Sequence, residues 1–301
     1  MRRLKSYGVM LGACVSLLAC AVNLTPEGLM KTFTAIQDAN KDLTPENEYY
    51  VGRSVATNLL ARHDYRYRDT EAIARGDLIG ITEYVGTVGA LLAASATETE
   101  RKGDRPSPIA GWHFTVVEHD SINAFAAPGG YVFVTTAAVK AAKSEDELAA
   151  ILAHEVAHVV RGHALGSIKK SRWAGVAKEA VNNSVTLDEA ALGELTQVFD
   201  GAMNDMMDAI FVKGYSRDTE FEADSVGAAI MAHAGYDTRA FASYLETLRA
   251  KQGNTKGGMF ATHPSAADRI KLLGKTDAAR ADGHALAARS ARFATARASL
   301  N

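Results

Sequence analysis

The segment LAAILAHEVAHVVRGHA, residues 148–164, constrains the fold more than any other part of the sequence. It is apolar almost all the way round a predicted helix, and a helix of that kind is buried. Its middle nevertheless carries His154, Glu155 and His158. Polar side chains of these types are costly to bury unless they are bonded or paired. The fold must therefore enclose this helix and supply partners for its three polar groups.

The spacing of these residues is that of a metal-binding helix. His154 and His158 are four residues apart, so they share one helix face and can bind one metal ion. Glu155 lies about 100° round the helix, beside a metal-bound water without being a ligand. The alternative is a pair of core histidines bonded to backbone carbonyls, with Glu155 at the surface. The apolar surroundings favour the metal, because it removes the cost of unpaired polar groups.

A catalytic zinc site needs a third protein ligand and an open position. The pattern H-E-x-x-H-x-x-G-x-x-H would require a glycine at position 161 and a histidine at 164, where the sequence has Arg161 and Ala164. His163 is about 180° from His154 round a continuous helix, so it cannot bind the same ion unless the helix breaks at Gly162. We interpret His163 either as a residue that contacts a metal ligand without binding the metal or as a surface residue.

A second segment, YSRDTEFEADSVGAA at 215–229, offers the missing ligand. Glu220 and Asp224 share a helix face, so Glu220 can bind the metal while Asp224 accepts the N–H of a ligand histidine. Glu222 points about 200° away and has no such partner in this scheme. The alternative is a solvated acidic face, which the upstream H-E-x-x-H makes the weaker interpretation.

The N-terminus indicates export to a cell envelope. Arg2, Arg3 and Lys5 precede an apolar run of fourteen residues at 9–22, which is shorter than the roughly 20 needed to span a bilayer and typical of a signal peptide. The run contains Leu17-Leu18-Ala19-Cys20, which resembles a bacterial lipobox and predicts lipidation of Cys20. Cleavage after Ala21 is the alternative and would release a soluble periplasmic protein. By resemblance to lipoprotein sorting signals, Ala21 in place of Asp after Cys20 favours the outer membrane.

Composition excludes one class of partner and one kind of stabilisation. The net charge of -2 and the lack of a basic stripe argue against nucleic acid as a partner. The second cysteine, Cys14, lies within the predicted signal peptide, so the mature chain has no disulfide.

The elements predict an α+β fold, mostly helical. Strands at 112–118, 121–127 and 131–135 form a small antiparallel sheet, and Ser144 with Glu147 forms a capping box that opens the helix beginning near 145. Further helices are predicted near 77–96, 165–182, 187–211, 217–234, 238–250, 264–273 and 276–298. The domain limits are a lipoprotein signal peptide at 1–19, an anchor and linker helix at 20–44, a main domain at 45–275 and a solvated helical tail at 276–301.

These motifs together resemble a known family. His154-Glu-x-x-His158, Glu220-Phe-Glu-Ala-Asp224 and Thr262-His263-Pro264 are similar to motifs of zinc metallopeptidase family 48, which includes the heat-shock protease HtpX and the CAAX prenyl proteases. The segments 123–126 and 132–135 resemble that family's edge strand and its neighbour. The resemblance covers roughly 45–275 and is closest to the periplasmic outer-membrane lipoprotein peptidases. It implies a zincin-like (gluzincin) domain with the sheet beside the active-site helix.

The resemblance also implies roles for individual residues. One Zn²⁺ is bound by His154, His158 and Glu220, Glu155 is the general base, and His263 with Arg269 stabilises the oxyanion. The alternative for this pair is a helix-capping His263 and a surface Arg269. A further hypothesis is that His263 binds the metal in the resting enzyme. The edge strand binds substrate as an added β-strand through the segment Asn123, Ala124, Phe125 and Ala126.

The predicted function is that of a zinc-dependent endopeptidase of the bacterial cell envelope. Its partners are unfolded or misfolded envelope proteins as substrates and the membrane through the lipid anchor; its site is the periplasmic face of the outer membrane. The alternative function is a lipid-anchored, zinc-containing chaperone or binding module. A purely structural zinc domain is opposed by the lack of a fourth protein ligand.

Overall fold

Residues 44–62, 65–67, 80–98, 105–166, 214–251, 263, 266–274 and 283–300 are described by a computed structural model. All of them lie in a compact unit formed by Leu43–Ser167 and Asn204–Asn301. The predicted signal peptide, Cys20, the helix at 187–211 and nearly all of the helix at 165–182 lie outside the described residues.

The described part is mostly helical, with a small sheet. The helices are α1 (Pro45–Leu60), α2 (Ile81–Glu98), α3 (Thr136–Ala141), α4 (Glu145–Val160), α5 (Arg217–His233), α6 (Arg239–Lys251), α7 (Ala266–Leu273) and α8 (Gly283–Ala298). The strands are β1 (Arg66–Tyr67), β2 (His113–Glu118), β3 (Ala124–Ala127) and β4 (Tyr131–Thr135). The predicted fold class is confirmed.

The sheet has the order β1-β2-β4-β3 and is mixed. The expectation of a wholly antiparallel sheet was wrong, because β2 and β4 are parallel. Residues 119–123 carry the chain past the position of β4 to the far edge, where β3 runs back. The turn Pro128–Gly130, with Gly129 at a φ of 74°, then returns β4 between β3 and β2. The two outer pairs, β1 with β2 and β3 with β4, are antiparallel.

Helix α4 is the centre of the core. Every residue from Glu145 to His158 is buried, and the helix packs against α5, α2, α6 and β3. Its predicted cap is present, because the Ser144 hydroxyl accepts a hydrogen bond from the Glu147 N–H at 3.2 Å. The Glu147 carboxylate in turn accepts the N–H of Lys143 at 2.8 Å. This cap fixes where the helix begins and hence which face carries the histidines.

Helix α8 belongs to the same core, so the expectation of a solvated tail was wrong for one of its faces. Phe293 and Leu300 are 3% exposed, and Phe293 lies against Tyr84 of α2. The buried guanidinium of Arg289 pairs with Asp146 at the start of α4 at 3.1 Å. Among the described helices, none is long and apolar enough to cross a bilayer.

Candidate metal centre

The two histidines of α4 point their Nε2 atoms at a common position. These atoms are 3.0 Å apart, and both residues are 2% exposed. His154 and His158 are one helical turn apart, so the regular geometry of α4 is sufficient to bring them together. The structure therefore places the predicted histidine pair as the spacing requires.

Helix α5 adds a carboxylate to the pair. Glu220 is fully buried, with Oε2 at 3.5 Å from His154 Nε2 and Oε1 at 3.5 Å from His158 Nε2. The two helices approach closely because α5 has Gly227 at the crossing. A Cβ there would lie 3.2 Å from the Ala153 carbonyl and from the His154 backbone nitrogen. A residue without a side chain therefore sets the distance between the histidines and the acid.

His263, which lies between α6 and α7, completes the cluster. Its Nδ1 lies 2.9 Å from Glu220 Oε1 and 3.2 Å from His154 Nε2. One donor atom each of His154, His158, Glu220 and His263 lies within 4.8 Å of the others, and all four residues are buried. Three imidazole nitrogens and one carboxylate oxygen are a donor set that suits four-coordinate zinc. The prediction that a fourth protein ligand is lacking was therefore wrong, because His263 offers a fourth donor atom.

Glu155 is the unusual group of the centre. It is fully buried, and neither carboxylate oxygen has a hydrogen-bond partner within the part of the chain that the structure describes. His263 Nε2 lies 3.6 Å from its Oε1. Burial raises the pKa of the Glu155 carboxyl, and the neighbouring His263 and His154 oppose that rise. A carboxylate in this position is ready to exchange a proton with a group that enters the site.

Asp224 and Arg269 lie behind the four clustered donors. Asp224 Oδ1 is 3.0 Å from His154 Nδ1, which orients the ring with Nε2 towards the cluster. Arg269 is buried and donates to both oxygens of Asp224 at 2.7 Å, while its Nη1 lies 3.0 Å from Glu220 Oε2. The guanidinium is thus bound to the two carboxylates of α5. The alternative of a surface Arg269 is wrong, since it is only 3% exposed.

Opposing charges set the protonation of the carboxylates. Burial by itself acts to raise the pKa of Asp224, but Arg269 and His154 hold it below its ordinary value. Burial acts in the same direction on Glu220, and the surrounding histidines, His263 first, lower its pKa. Both acids are therefore anionic, which is the state that metal binding by Glu220 would require.

Tyr215 and Glu222 were not predicted to lie around His158, whereas contact of His163 with a metal ligand was one of its two interpretations. The ring of Tyr215 stacks on the His158 ring at 4.2 Å between centroids. His163 Nδ1 lies 2.8 Å from His158 Nδ1, and Glu222, expected to have no such partner, pairs with both His163 and Arg161. The break at Gly162 was the available signal for His163. Helical angles alone could not place Glu222, because its partners come from another helix.

The predicted substrate strand is at the sheet edge but is buried. Strand β3 pairs with β4 on one side and also packs against α4 and α1. The exposed fractions of the four residues are at most 4%; they are Asn123, Ala124, Phe125 and Ala126. The backbone of Asn123 is further bound to Thr135, whose N–H donates to the Asn123 carbonyl at 2.9 Å. A peptide could pair with this strand only after its cover moves.

The sequence comparisons agree with this geometry. Residues 88–277, more than half of the chain, match peptidase family M48. The chain belongs to peptidase family M48. It therefore carries a metallopeptidase domain, and the predicted enzyme class is confirmed at the level of the family. The zinc cofactor is confirmed as well, because the peptidases of family M48 use zinc and the four clustered donors suit it.

Three relatives illustrate the range of similar proteins. The chain is 32% identical to the mitochondrial metalloendopeptidase OMA1 of Arabidopsis thaliana, over 55% of this chain and 32% of the relative. It is 27% identical to the beta-barrel assembly-enhancing protease of Yersinia pestis, over 76% of this chain and 46% of the relative. It is 27% identical to the metalloprotease YcaL of Escherichia coli, over 54% and 60% respectively. The chain thus spans less than half of the first two relatives.

Proposed function

We propose that this M48 protein is a zinc-dependent endopeptidase of the bacterial cell envelope that hydrolyses unfolded or misfolded periplasmic and outer-membrane proteins. The proposal rests mainly on the position of Glu155. It is a buried carboxylate beside four metal donors, is not one of them, and lacks a hydrogen-bond partner in the described ranges. Metal binding does not need such a group, whereas general acid–base catalysis does.

The chemistry follows from the positions of the side chains. Zinc held by His154, His158 and Glu220 would supply a Lewis acid for the scissile carbonyl and a water of lowered pKa. Glu155 accepts the proton of the attacking water as the new C–O bond forms. It then returns that proton to the amide nitrogen as the C–N bond breaks. Burial raises the pKa of the Glu155 carboxyl, which makes it a stronger base towards the attacking water.

His263 and Arg269 are proposed to have different roles. His263 Nδ1 lies among the donor atoms, which supports the hypothesis that it binds the metal in the resting state. Its displacement by substrate would leave the imidazole beside the carbonyl oxygen. Arg269 is bound to Asp224 and Glu220, which supports a positioning role for it in place of direct contact with the oxyanion.

Further features support the substrate class and the location. An edge strand binds peptides through backbone hydrogen bonds and so accepts many sequences, which suits unfolded chains. The similarity to the beta-barrel assembly-enhancing protease supports an envelope protein. The lipobox-like segment supports anchoring through Cys20 at the periplasmic face of the outer membrane, with a soluble periplasmic form as the alternative.

A lipid-anchored, zinc-containing chaperone is the second candidate. One observation favours it: His263 offers a fourth donor, which would occupy the metal position that catalysis needs open. A site that never opens would hold zinc without cutting.

Digestion of casein by the zinc-loaded full chain tests the proposal. We expect wild type to cut and Glu155→Gln to lose about 10²–10⁴-fold in rate, with one zinc bound to each. Glu246→Gln, which changes an exposed acid of α6, is the matched control and should keep its activity. If both proteins bind one zinc and neither cuts, the chaperone is favoured. Equal cutting by both would remove Glu155 from the mechanism.

A further inference from the structure

The mechanism above does not use one row of hydrogen-bonded side chains, which runs from His158 through His163 to Glu222. His163 is 8% exposed at its side chain and touches the second metal-ligand histidine, with its Nδ1 at 2.8 Å from His158 Nδ1. On its other side, His163 Nε2 lies 3.4 Å from Glu222 Oε2. Glu222 also pairs with Arg161, which holds the carboxylate in place.

The N–H protons of His158 and His163 can be assigned by counting hydrogen-bond donors and acceptors. The Nε2 of His158 faces the cluster, 3.5 Å from Glu220 Oε1, so a metal there requires the lone pair of that atom. The one N–H of the neutral imidazole is then on Nδ1, and it must be donated. His163 Nδ1 can accept it only if the proton of His163 is on Nε2, where Glu222 accepts it in turn. This assignment satisfies both contacts.

The end of α4 makes the contact possible. His163 is five residues after His158, about 140° away round a continuous helix. The helix ends at Val160, and Gly162 has a φ of 64°, a left-handed conformation that glycine adopts without strain. The Arg105 N–H donates to the Val160 carbonyl at 2.7 Å and so stabilises the break. The turn brings the His163 ring back over His158.

We infer that His163, backed by Glu222, is the positioning residue for His158. It fixes the tautomer and the orientation of this ligand as Asp224 does for His154. The inference rests on the proposed function only in taking these histidines as zinc ligands. Outer partners of this kind typically contribute 10–100-fold to metal affinity.

The test is the zinc affinity of the full chain, measured by competition with a chromophoric chelator. His163→Leu keeps bulk but cannot accept the proton, so we expect zinc affinity to fall about 10–100-fold. His163→Asn can place its amide oxygen near the position of Nδ1, so we expect an affinity within about threefold of wild type. Glu222→Leu, at a side chain that is 41% exposed, should give an intermediate loss without disturbing the fold. His113→Leu, at an exposed histidine of β2, should change nothing.

The outcomes separate this inference from the proposed function. Equal losses in the Leu and Asn variants of His163 would mean that the ring acts only by its shape, and unchanged affinity in both would remove any role. If His163→Leu fails to fold, unchanged affinity in Glu222→Leu overturns the inference. The absorption spectrum of bound Co²⁺ gives a second readout, since altered ligand geometry changes its d–d bands. Zinc affinity does not depend on proteolysis, so wild type that fails to cut casein would leave the inference standing.

Discussion

His154 lies between two carboxylates and a guanidinium, and its protonation follows from that position. Burial and Arg269 act to lower its pKa, but hydrogen bonds to Asp224 and Glu220 outweigh them and raise it to about 9 from 6.5. Because the folded-state pKa is raised, protonated His154 stabilises the metal-free fold below pH 6.5. That contribution is lost as the pH rises through about 9.

Zinc binding should therefore displace a proton from His154 at neutral pH. We expect release of about one proton per zinc at pH 7.5, and an apparent affinity that rises about tenfold per pH unit from 7 to 9 before levelling. Calorimetric titration in buffers of different ionisation enthalpy measures the proton directly. A binding enthalpy that is independent of the buffer would show that His154 is already neutral.

Helical spacing was enough to predict the inner residues of the site. His154, Glu155 and His158 are fixed relative to one another by α4, and Glu220 and Asp224 by α5. The residues that contact them from distant parts of the chain could not be predicted from helical spacing. Arg269 meets Asp224 across 45 positions of the chain, and no local period encodes that contact. The role of His263 as a fourth donor depended on a resemblance, since nothing in its own neighbourhood indicated where it would lie.

At the scale of elements, the crossing of α4 and α5 determines the geometry of the site. Gly227 lies against the backbone of Ala153 and His154, where a Cβ would be 3.2 Å from the nearest atoms. These are main-chain atoms, so they cannot move away by a change of side-chain rotamer. A methyl group there must push the two helices apart, and Glu220 and Asp224 move with α5.

We expect Gly227→Ala to lower the free energy of unfolding by about 1–3 kcal/mol and to weaken zinc binding. Gly86→Ala in α2 is the matched control, because no atom of the described residues outside its own stretch of helix lies within 4 Å of its Cβ position. There the substitution should stabilise by about 0.5–1 kcal/mol through helix propensity alone. Urea unfolding and chelator competition measure the two quantities. A stabilised Gly227→Ala with unchanged zinc affinity would mean that the crossing adjusts freely.

The strands were predictable, but their pairing was not. Alternating apolar residues and the turn at Pro128–Gly130 located β3 and β4 to within a few residues. The parallel pairing of β2 with β4 depends on the path of residues 119–123 past the sheet, and a two-residue period says nothing about that path. The same limit applies to burial of the β3 edge, which depends on distant helices that cover it.

At the scale of the whole molecule, the C-terminal helix is connected to the start of the active-site helix. Glu145, the first residue of α4, is fully buried and bonded to the hydroxyls of Tyr84 at 2.6 Å and Tyr236 at 2.9 Å, and to the guanidinium of Arg292 on α8. Burial acts to raise the pKa of Glu145, and these bonds hold it below its ordinary value. Its stabilising contribution is therefore present above about pH 4.5 and lost as the pH falls further.

Substitution of Phe293 tests whether packing of α8 stabilises the fold. Its side chain is 3% exposed and packs against Tyr84, the same residue that binds Glu145. We expect Phe293→Ala to lower the free energy of unfolding by about 3–5 kcal/mol, because it removes a buried ring and leaves a cavity beside α2 and α4. Thr295→Ala, two residues along on the exposed face, should change it by less than about 0.5 kcal/mol. Urea denaturation of both variants would decide the matter, since a solvated tail would give the same small effect at both positions.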